Sequence, residues 1–256
     1  MSVSSISNQR IYQNYQSLSS GKRINQASDD AAGLAIAQKL QSQSNGYDVG
    51  SRNVGTSQDL LNVADGALSS ITDNLQRIRE LSVQAANGLY TDADRGAIQS
   101  EIDQLKKSIA DTASGTQFNT KNLLDGTMGD FHVATGPGGG GMEIGMPNAT
   151  LQELGIEDYD VTSGNFDISV IDDALAQVTS ARSSLGASSN RLDSVAAYNS
   201  NASLNLTASR SRVEDLDYPQ AVSKMKKNEL LRTFQMMMQR KMMENENGRV
   251  LQFFRS

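Results

Sequence analysis

The sequence predicts a mainly α-helical protein: an elongated antiparallel helical bundle or coiled-coil rod with a small β-hairpin region and its chain termini paired as helices. Three observations carry that expectation. Apolar residues recur at alternating steps of three and four in both the first and the last third of the chain. Only three prolines occur, at 137, 147 and 219, so long stretches lack that helix breaker. Large side chains are scarce, with 38% hydrophobic residues, 5% aromatics and no Trp. Such a chain suits narrow buried stripes better than one thick core, with partial disorder of the monomer as the alternative. Its 256 residues fit one large domain or two smaller ones.

The elements follow in order. From Asn25 to Asn87 the chain is largely helix-permissive, and Leu61, Ala64, Leu68, Ile71, Leu75 and Ile78 form a heptad seam. Within its start, LSSG suits a bend, and Asp29 and Asp30 suit a helix beginning that Ser28 could cap. GLYTDADRG then interrupts the pattern, with Gly88 as a natural C′ residue and Thr91 or Asp92 as the next cap. Ile98, Ile102, Leu105 and Ile109 resume it. In the Gly-rich middle, Asp130–Ala134 and Met142–Met146 read as a small hairpin joined through GPGGGG.

Beyond Ile168, Ile171, Leu175, Val178, Leu185, Leu192 and Leu206 lie on a second ladder. Its intermediate rungs are Arg182, Ser189, Ala196, Asn199 and Ser203, a diluted seam that suits packing beside several helices. Asp217 and Pro219 mark the start of a last helix, roughly 218 to 247. Leu231, Phe234, Met238 and Met242 follow one another along it at spacings of 3, 4 and 4. The Met cluster FQMMMQRKMM reads as adaptable helix packing, with a groove for a secretion chaperone as the alternative.

Several function classes drop out. A net charge of −6 argues against a duplex-binding protein. No run of 18 apolar residues suggests a membrane span, and the start of the chain lacks a cleavable signal pattern. With one His and no Cys, neither a His-based metal centre nor a thiolate site can be assembled, and no cofactor is expected. The pairs Asp29/Asp30 and Asp172/Asp173 are adjacent on helices, so they face apart and suit helix starts rather than acid/base chemistry. The glycines of GPGGGG lack the phosphate-binding pattern that would follow them in a P-loop. No serine has an adjacent base to activate it, and an enzyme is not expected.

The segments LSSGKRINQASDDAAGLAIAQKL (18–40), NLQRIRELSVQAANG (74–88), GTQFNTKNLLDG (115–126), SRVEDLDY (211–218) and NGRVLQFFRS (247–256) together resemble bacterial flagellin. The likeness covers both terminal thirds; residues 127–165 match only loosely. It implies an N-terminal inner polymerisation helix over 1–20, a spoke domain over 21–211 and a C-terminal inner helix over 212–256. It also implies a self-assembling subunit of the flagellar filament, used in motility, located outside the cell and exported without a cleaved signal peptide. The implied partners are copies of itself, an export chaperone, cap and junction proteins, and the host Toll-like receptor for flagellin. Neither nucleic acid nor membrane is among them. The junction protein between hook and filament is the alternative reading, although it tends to carry a proline after the paired aspartates, where this chain has DDAAG. A minor or non-polymerising flagellin acting as a monomeric receptor ligand is another.

On the resemblance, receptor-binding positions map onto Arg77, Leu81 and Glu101, with seam packing and surface ion pairs as their alternative roles. Self-assembly is expected to bury Leu231, Phe234, Met238, Leu251, Phe253 and Phe254 against neighbouring copies. Lys22 and Arg23 are expected to meet carboxylates on an adjacent copy. Seventeen residues precede LSSG, about a dozen fewer than flagellins usually carry, or roughly three helical turns. The Met-rich tail departs from the family's usual Ala, Gln and Ser.

Overall fold

The computed structural model describes residues 3–253, with side chains described for 12–245 and 247. Helices α1 (Val3–Ser20), α2 (Ala31–Ala85), α3 (Asp92–Gly115), α4 (Ser169–Glu214) and α5 (Tyr218–Phe253) account for most of the chain. Two small antiparallel pairs complete it: β1 (Gln117–Phe118) with β2 (Lys121–Asn122), and β3 (Asp130–Ala134) with β4 (Gly141–Gly145). The expected mainly helical class, with long antiparallel helices packed together, is what the structure has. The chain divides into two compact units, Ser44–Ser203 and Met1–Gln43 with Leu204–Ser256.

The Ser44–Ser203 unit is built on the α2 seam. Ala64, Leu68, Ile71 and Leu75 are fully buried, with Leu61 and Ile78 nearly so. From α3, Ile98, Ile102 and Ile109 join them; from α4, Ile171, Val178, Leu185 and Leu192. Both helices run antiparallel to α2. Arg77 on α2 pairs with Glu101 on α3, and Asn74 with Ser108. Arg79 pairs with Asp172 on α4, Asp65 with Arg182, and Gln58 with Asp193. Each Leu or Ile buried in this way contributes about 1.5–3 kcal/mol relative to exposure.

The polar rungs of the diluted α4 seam have specific partners. Arg182 Nε donates to Asp65 at 2.8 Å, Asn199 donates to the Thr135 carbonyl at 2.8 Å, and Ser203 donates to Asp48 at 2.7 Å. Asn199 therefore docks the β3–β4 hairpin onto α4, while Asn53 of α2 donates to the neighbouring Ala134 carbonyl at 2.9 Å. The hairpin's approach is so close that a Cβ on Gly50 would overlap the Thr135 carbonyl oxygen. A Cβ on Gly46 would overlap Pro137.

The hairpin pairs Asp130 with Gly145 through Ala134 with Gly141, one residue earlier on its second strand than expected. β1–β2 was not anticipated: Asn119 and Thr120 both take positive φ (46° and 65°), which closes a two-residue hairpin in the primed-turn class. Residues 147–166 then lie along α3. Val161 N donates to Gln99 Oε1 at 2.9 Å, and the Tyr159 hydroxyl donates to Ser82 Oγ at 2.9 Å inside the core.

Helix ends follow local chemistry. Thr91 and Asp94 form a capping box at α3, and the two hydrogen bonds from Thr91 hold the Asp94 carboxyl below its ordinary range. Asp30, not Ser28, caps α2, its Oδ1 accepting from Gly33 N at 2.8 Å. Asp29 instead accepts from Asn25 N and Gln26 N and holds the loop before the helix. Gly88 is not a left-handed C′ residue: it has no positive φ, and α2 ends through Asn87 N donating to the Gln84 carbonyl at 3.1 Å.

In the other unit, α1 ends where Gly21 takes φ 70°, as the LSSG bend requires. The strand-like residues that follow bridge to the α4–α5 connection: Arg23 N donates to the Glu214 carbonyl at 2.7 Å and Leu216 N to the Gly21 carbonyl at 3.0 Å. Asp217 caps α5 by accepting from Gln220 N at 3.1 Å, with Pro219 in the first turn, as expected. α1 and α5 pack antiparallel, with the Tyr218 hydroxyl donating to the Leu18 carbonyl at 2.7 Å and the Tyr15 hydroxyl to Glu229 at 3.1 Å.

Two helix glycines test this packing with opposite signs. Gly50→Ala forces the Thr135 backbone away and should lower stability by about 1–3 kcal/mol. Gly55→Ala meets nothing within 4 Å and should raise it by about 0.5–1 kcal/mol through helix propensity. Thermal unfolding followed by circular dichroism checks both.

Candidate functional site

Among the described residues no three His, Cys, Asp or Glu side chains converge on a metal-sized space. His132 is exposed on β3, its Nε2 3.2 Å from the Gly139 carbonyl within the hairpin. The GPGGGG loop is closed on itself, with Gly136 N donating to the Gly140 carbonyl and Gly139 N to the Gly136 carbonyl. No helix among the described residues is long and apolar enough to cross a membrane. The notable features are therefore surfaces, one in each unit.

The first is on α5. From Glu229 to Asn245 every residue is exposed, including Leu231 at 50%, Phe234 at 58% and Met238 at 59%. Leu230, Met236, Met237, Met242 and Met243 are exposed with them. The methionines thus fill no core in the single chain. Their polarizable, freely rotating side chains can adapt to a surface brought from outside. The steps 231, 234, 238 and 242 keep these apolar side chains along one stripe of a regular helix. Phe254 lies outside the described residues, as do the side chains of Leu251 and Phe253.

The second is on α2 and α3. Arg77 reaches Glu101 with Nε at 2.9 Å and Nη2 at 2.8 Å, and Nη1 reaches Glu80 at 3.1 Å. These bonds, that to Glu101 foremost, raise the guanidinium pKa above its ordinary value. Arg79, two residues on and nearly on the opposite side of the helix, reaches Asp172 at 2.6 Å. Leu81 is 2% exposed and belongs to the core beneath. The structure thus brings Arg77 and Glu101 together at the surface and keeps Leu81 out of reach of any partner. Glu80 completes the ion-pair cluster; its i,i+3 spacing from Arg77 was the available signal.

Lys22 and Arg23 have partners within their own chain. Lys22 pairs with the buried Glu214. Arg23 Nη2 donates to the Val213 carbonyl at 2.6 Å and lies 3.8 Å from Asp30. The backbone bridge between Lys22 and Asp215 brings both cations onto the end of α4.

Long helices held by an apolar seam and a last helix with an exposed apolar stripe define a helical-bundle protein. The family pattern for the bacterial flagellin N-terminal helical region matches residues 1–128, and that for the C-terminal helical region matches residues 168–251. Flagellin of Halalkalibacterium halodurans is 40% identical over 208 residues, covering 79% of this chain and 76% of that protein. Flagellin of Bacillus subtilis is 37% identical over 267 residues, covering 89% of this chain and 87% of that protein. The crystal structure of Bacillus cereus flagellin superimposes with a TM-score of 0.52 at 29% identity, covering 58% of this chain and 88% of that one. The chain belongs to the bacterial flagellin family. It is a non-enzymatic structural subunit of the flagellar filament, outside the cell.

The burial contrast between Leu81 and Arg77 separates packing from surface chemistry. Leu81→Ala should lower stability by about 2–5 kcal/mol, because it empties a fully packed site. Arg77→Ala should leave the denaturation curve nearly unchanged, because an exposed ion pair is screened by solvent. Urea unfolding of the two variants gives the comparison.

Proposed function

We propose that this flagellin polymerises through the α5 stripe, with Leu231, Phe234, Met238 and the adjoining tail residues Leu251, Phe253 and Phe254 buried against neighbouring copies. The observation that carries this is the complete exposure of α5 from Glu229 to Asn245 despite its large apolar side chains. Large apolar side chains exposed together in this way mark an interaction surface. In this reading residues 1–20 and 212–256 form the inner polymerisation helices and 21–211 the spoke. Heterologous contacts of this sort repeat without closing and generate a helical tube. Export takes place without a cleaved signal peptide, and the same stripe is covered by an export chaperone before release to the cap and junction proteins.

A charge placed in the stripe tests the assembly reading. Phe234→Asp should abolish sedimentable polymer after seeding with filament fragments, while the helical circular dichroism signal of the soluble chain stays at the wild-type level. Unaltered polymerisation would overturn it, and would favour a monomeric or junction role.

The second surface supports recognition by the host Toll-like flagellin receptor. Arg77 and Glu101 present a fixed, exposed ion pair that a partner can engage through both charges, with Glu80 adjoining. Leu81 supports that surface from the core and positions α2 beneath it. Arg77→Ala should weaken receptor binding by about tenfold or more, since charged hydrogen bonds contribute roughly 1.5–3 kcal/mol each. Surface plasmon resonance with the soluble receptor ectodomain measures this, and an unchanged affinity removes the assignment.

A further inference from the structure

The chain contains three Asn–Gly sequences, at Asn45–Gly46, Asn87–Gly88 and Asn247–Gly248. An asparagine before glycine is chemically exposed, because no side chain shields the following backbone nitrogen from the Asn carboxamide. Whether that chemistry proceeds depends on the backbone around it. Asn45–Gly46 lies inside α2 and Asn247–Gly248 inside α5. There the backbone nitrogen is tied into the i to i−4 ladder and the backbone cannot rotate toward the side chain without breaking it. A Cβ built on Gly46 would also overlap Pro137, so that site is sterically closed as well.

Asn87–Gly88 is different in each respect. It lies in the exposed turn between the end of α2 at Ala85 and the start of α3 at Asp92. Among the described residues no group accepts from the Gly88 N–H, whereas the neighbouring Asn87 and Tyr90 nitrogens are both engaged. The Asn87 side chain is already folded back along the backbone, with its Oδ1 accepting from Leu89 N at 3.1 Å. This Asx-type bond holds the carboxamide over the residue that must attack it and polarises its carbonyl. The same N–H faces the oxygen on which negative charge develops during attack, as an oxyanion donor does.

We propose that Asn87 is a site of spontaneous covalent modification, converting to aspartate and isoaspartate while the helical Asn–Gly sequences stay intact. Hydroxide removes the Gly88 amide proton, and the nitrogen attacks Cγ of Asn87. The Cγ–Nδ2 bond breaks and ammonia leaves, closing a five-membered succinimide. Water then adds to one of the two ring carbonyls. Opening on one side gives Asp, and opening on the other gives an isoaspartyl link that carries one extra backbone carbon. No oxidant, reductant or enzyme is needed.

The product changes the turn. A new carboxylate appears just beyond the end of α2, where unsatisfied carbonyls already carry partial negative charge and no basic residue occupies the last turn. The isoaspartyl form also displaces the Asn87 carbonyl that accepts from Tyr90 N at 3.2 Å. Tyr90 in turn accepts from Gln84 Nε2 at 2.9 Å and packs against the core of its unit. The α2–α3 connection thereby loosens with time, which makes Asn87 a record of subunit age.

The experiment is incubation of the full chain at mildly alkaline pH and physiological temperature, followed by peptide mapping with mass spectrometry and isoaspartate detection by methyltransferase labelling. Conversion at Asn87 should exceed that at Asn45 by about tenfold or more in rate, and should accelerate as pH rises. Gly88→Ala meets nothing within 4 Å and needs no positive φ, so it preserves the fold while hindering attack; conversion at residue 87 should fall about tenfold. Equal rates at Asn87 and Asn45 in the unmodified sequence, or no slowing in Gly88→Ala with an unchanged melting curve, overturns the proposal.

Discussion

A seam barely one side chain wide along α2 governs the Ser44–Ser203 unit. Buried residues of two different helices, α3 and α4, join it in one cluster. A narrow seam cannot carry a thick core, and this explains why aromatics are scarce and why Ala64 occupies a fully buried position. It also explains why polar groups appear within the contact. Where α4 lacks an apolar rung, Arg182, Asn199 and Ser203 reach Asp65, Thr135 and Asp48 instead. Asn199 is buried with its bond made, and such a polar group fixes register along a seam on which apolar contacts alone could slide.

The other unit has the opposite arrangement at its end. α1 meets the first turns of α5 through Tyr15, Leu18 and Tyr218, and from Glu229 to Asn245 the described residues of α5 are exposed. Its stripe of Leu231, Phe234, Met238 and Met242 is apolar and exposed. A chain that satisfies one seam internally and leaves another unsatisfied has a built-in division of labour. In the proposed assembly, the second seam is completed by neighbouring copies.

Much of this was legible in the residues. The 3/4 spacing located the α2 seam from Leu61 to Ile78, though not Val54, Leu60 or Ala85, because exposure along a helix repeats with the helix period, and Thr91, Asp217 and Pro219 fell where capping chemistry places them. What failed did so for identifiable reasons. Ser28 lost the α2 cap to Asp30 because the chain turns one step later, with Asp29 bonded back to Asn25 and Gln26. The β1–β2 pair was missed because its turn uses Asn119 and Thr120 at positive φ without a glycine. The intrachain partners of Lys22 and Arg23 were not legible, because spacing says nothing of a backbone bridge more than 190 residues distant in sequence, between Lys22 and Asp215. Of the α2–α3 surface, the Arg77–Glu101 pairing required the packing of α3 on α2. The burial of Leu81, by contrast, continues the seam and was available as its alternative role.

The size of the stripe sets a condition on how it can be used. Leu231, Phe234 and Met238 have about half their surface already covered, so completing their burial adds on the order of 1 kcal/mol each. Association of two rigid bodies costs an estimated 4–15 kcal/mol in lost translational and rotational freedom. One such stripe meeting one partner therefore gives at most a weak dimer. In a helical polymer each subunit meets several neighbours at once, so a single immobilisation cost is set against several apolar contacts. A modest stripe then favours the tube over the pair, and leaves the chain soluble at low concentration, where no seed supplies the extra neighbours. The methionines fit this condition, because neighbours in different directions present different shapes and an unbranched thioether can meet each of them.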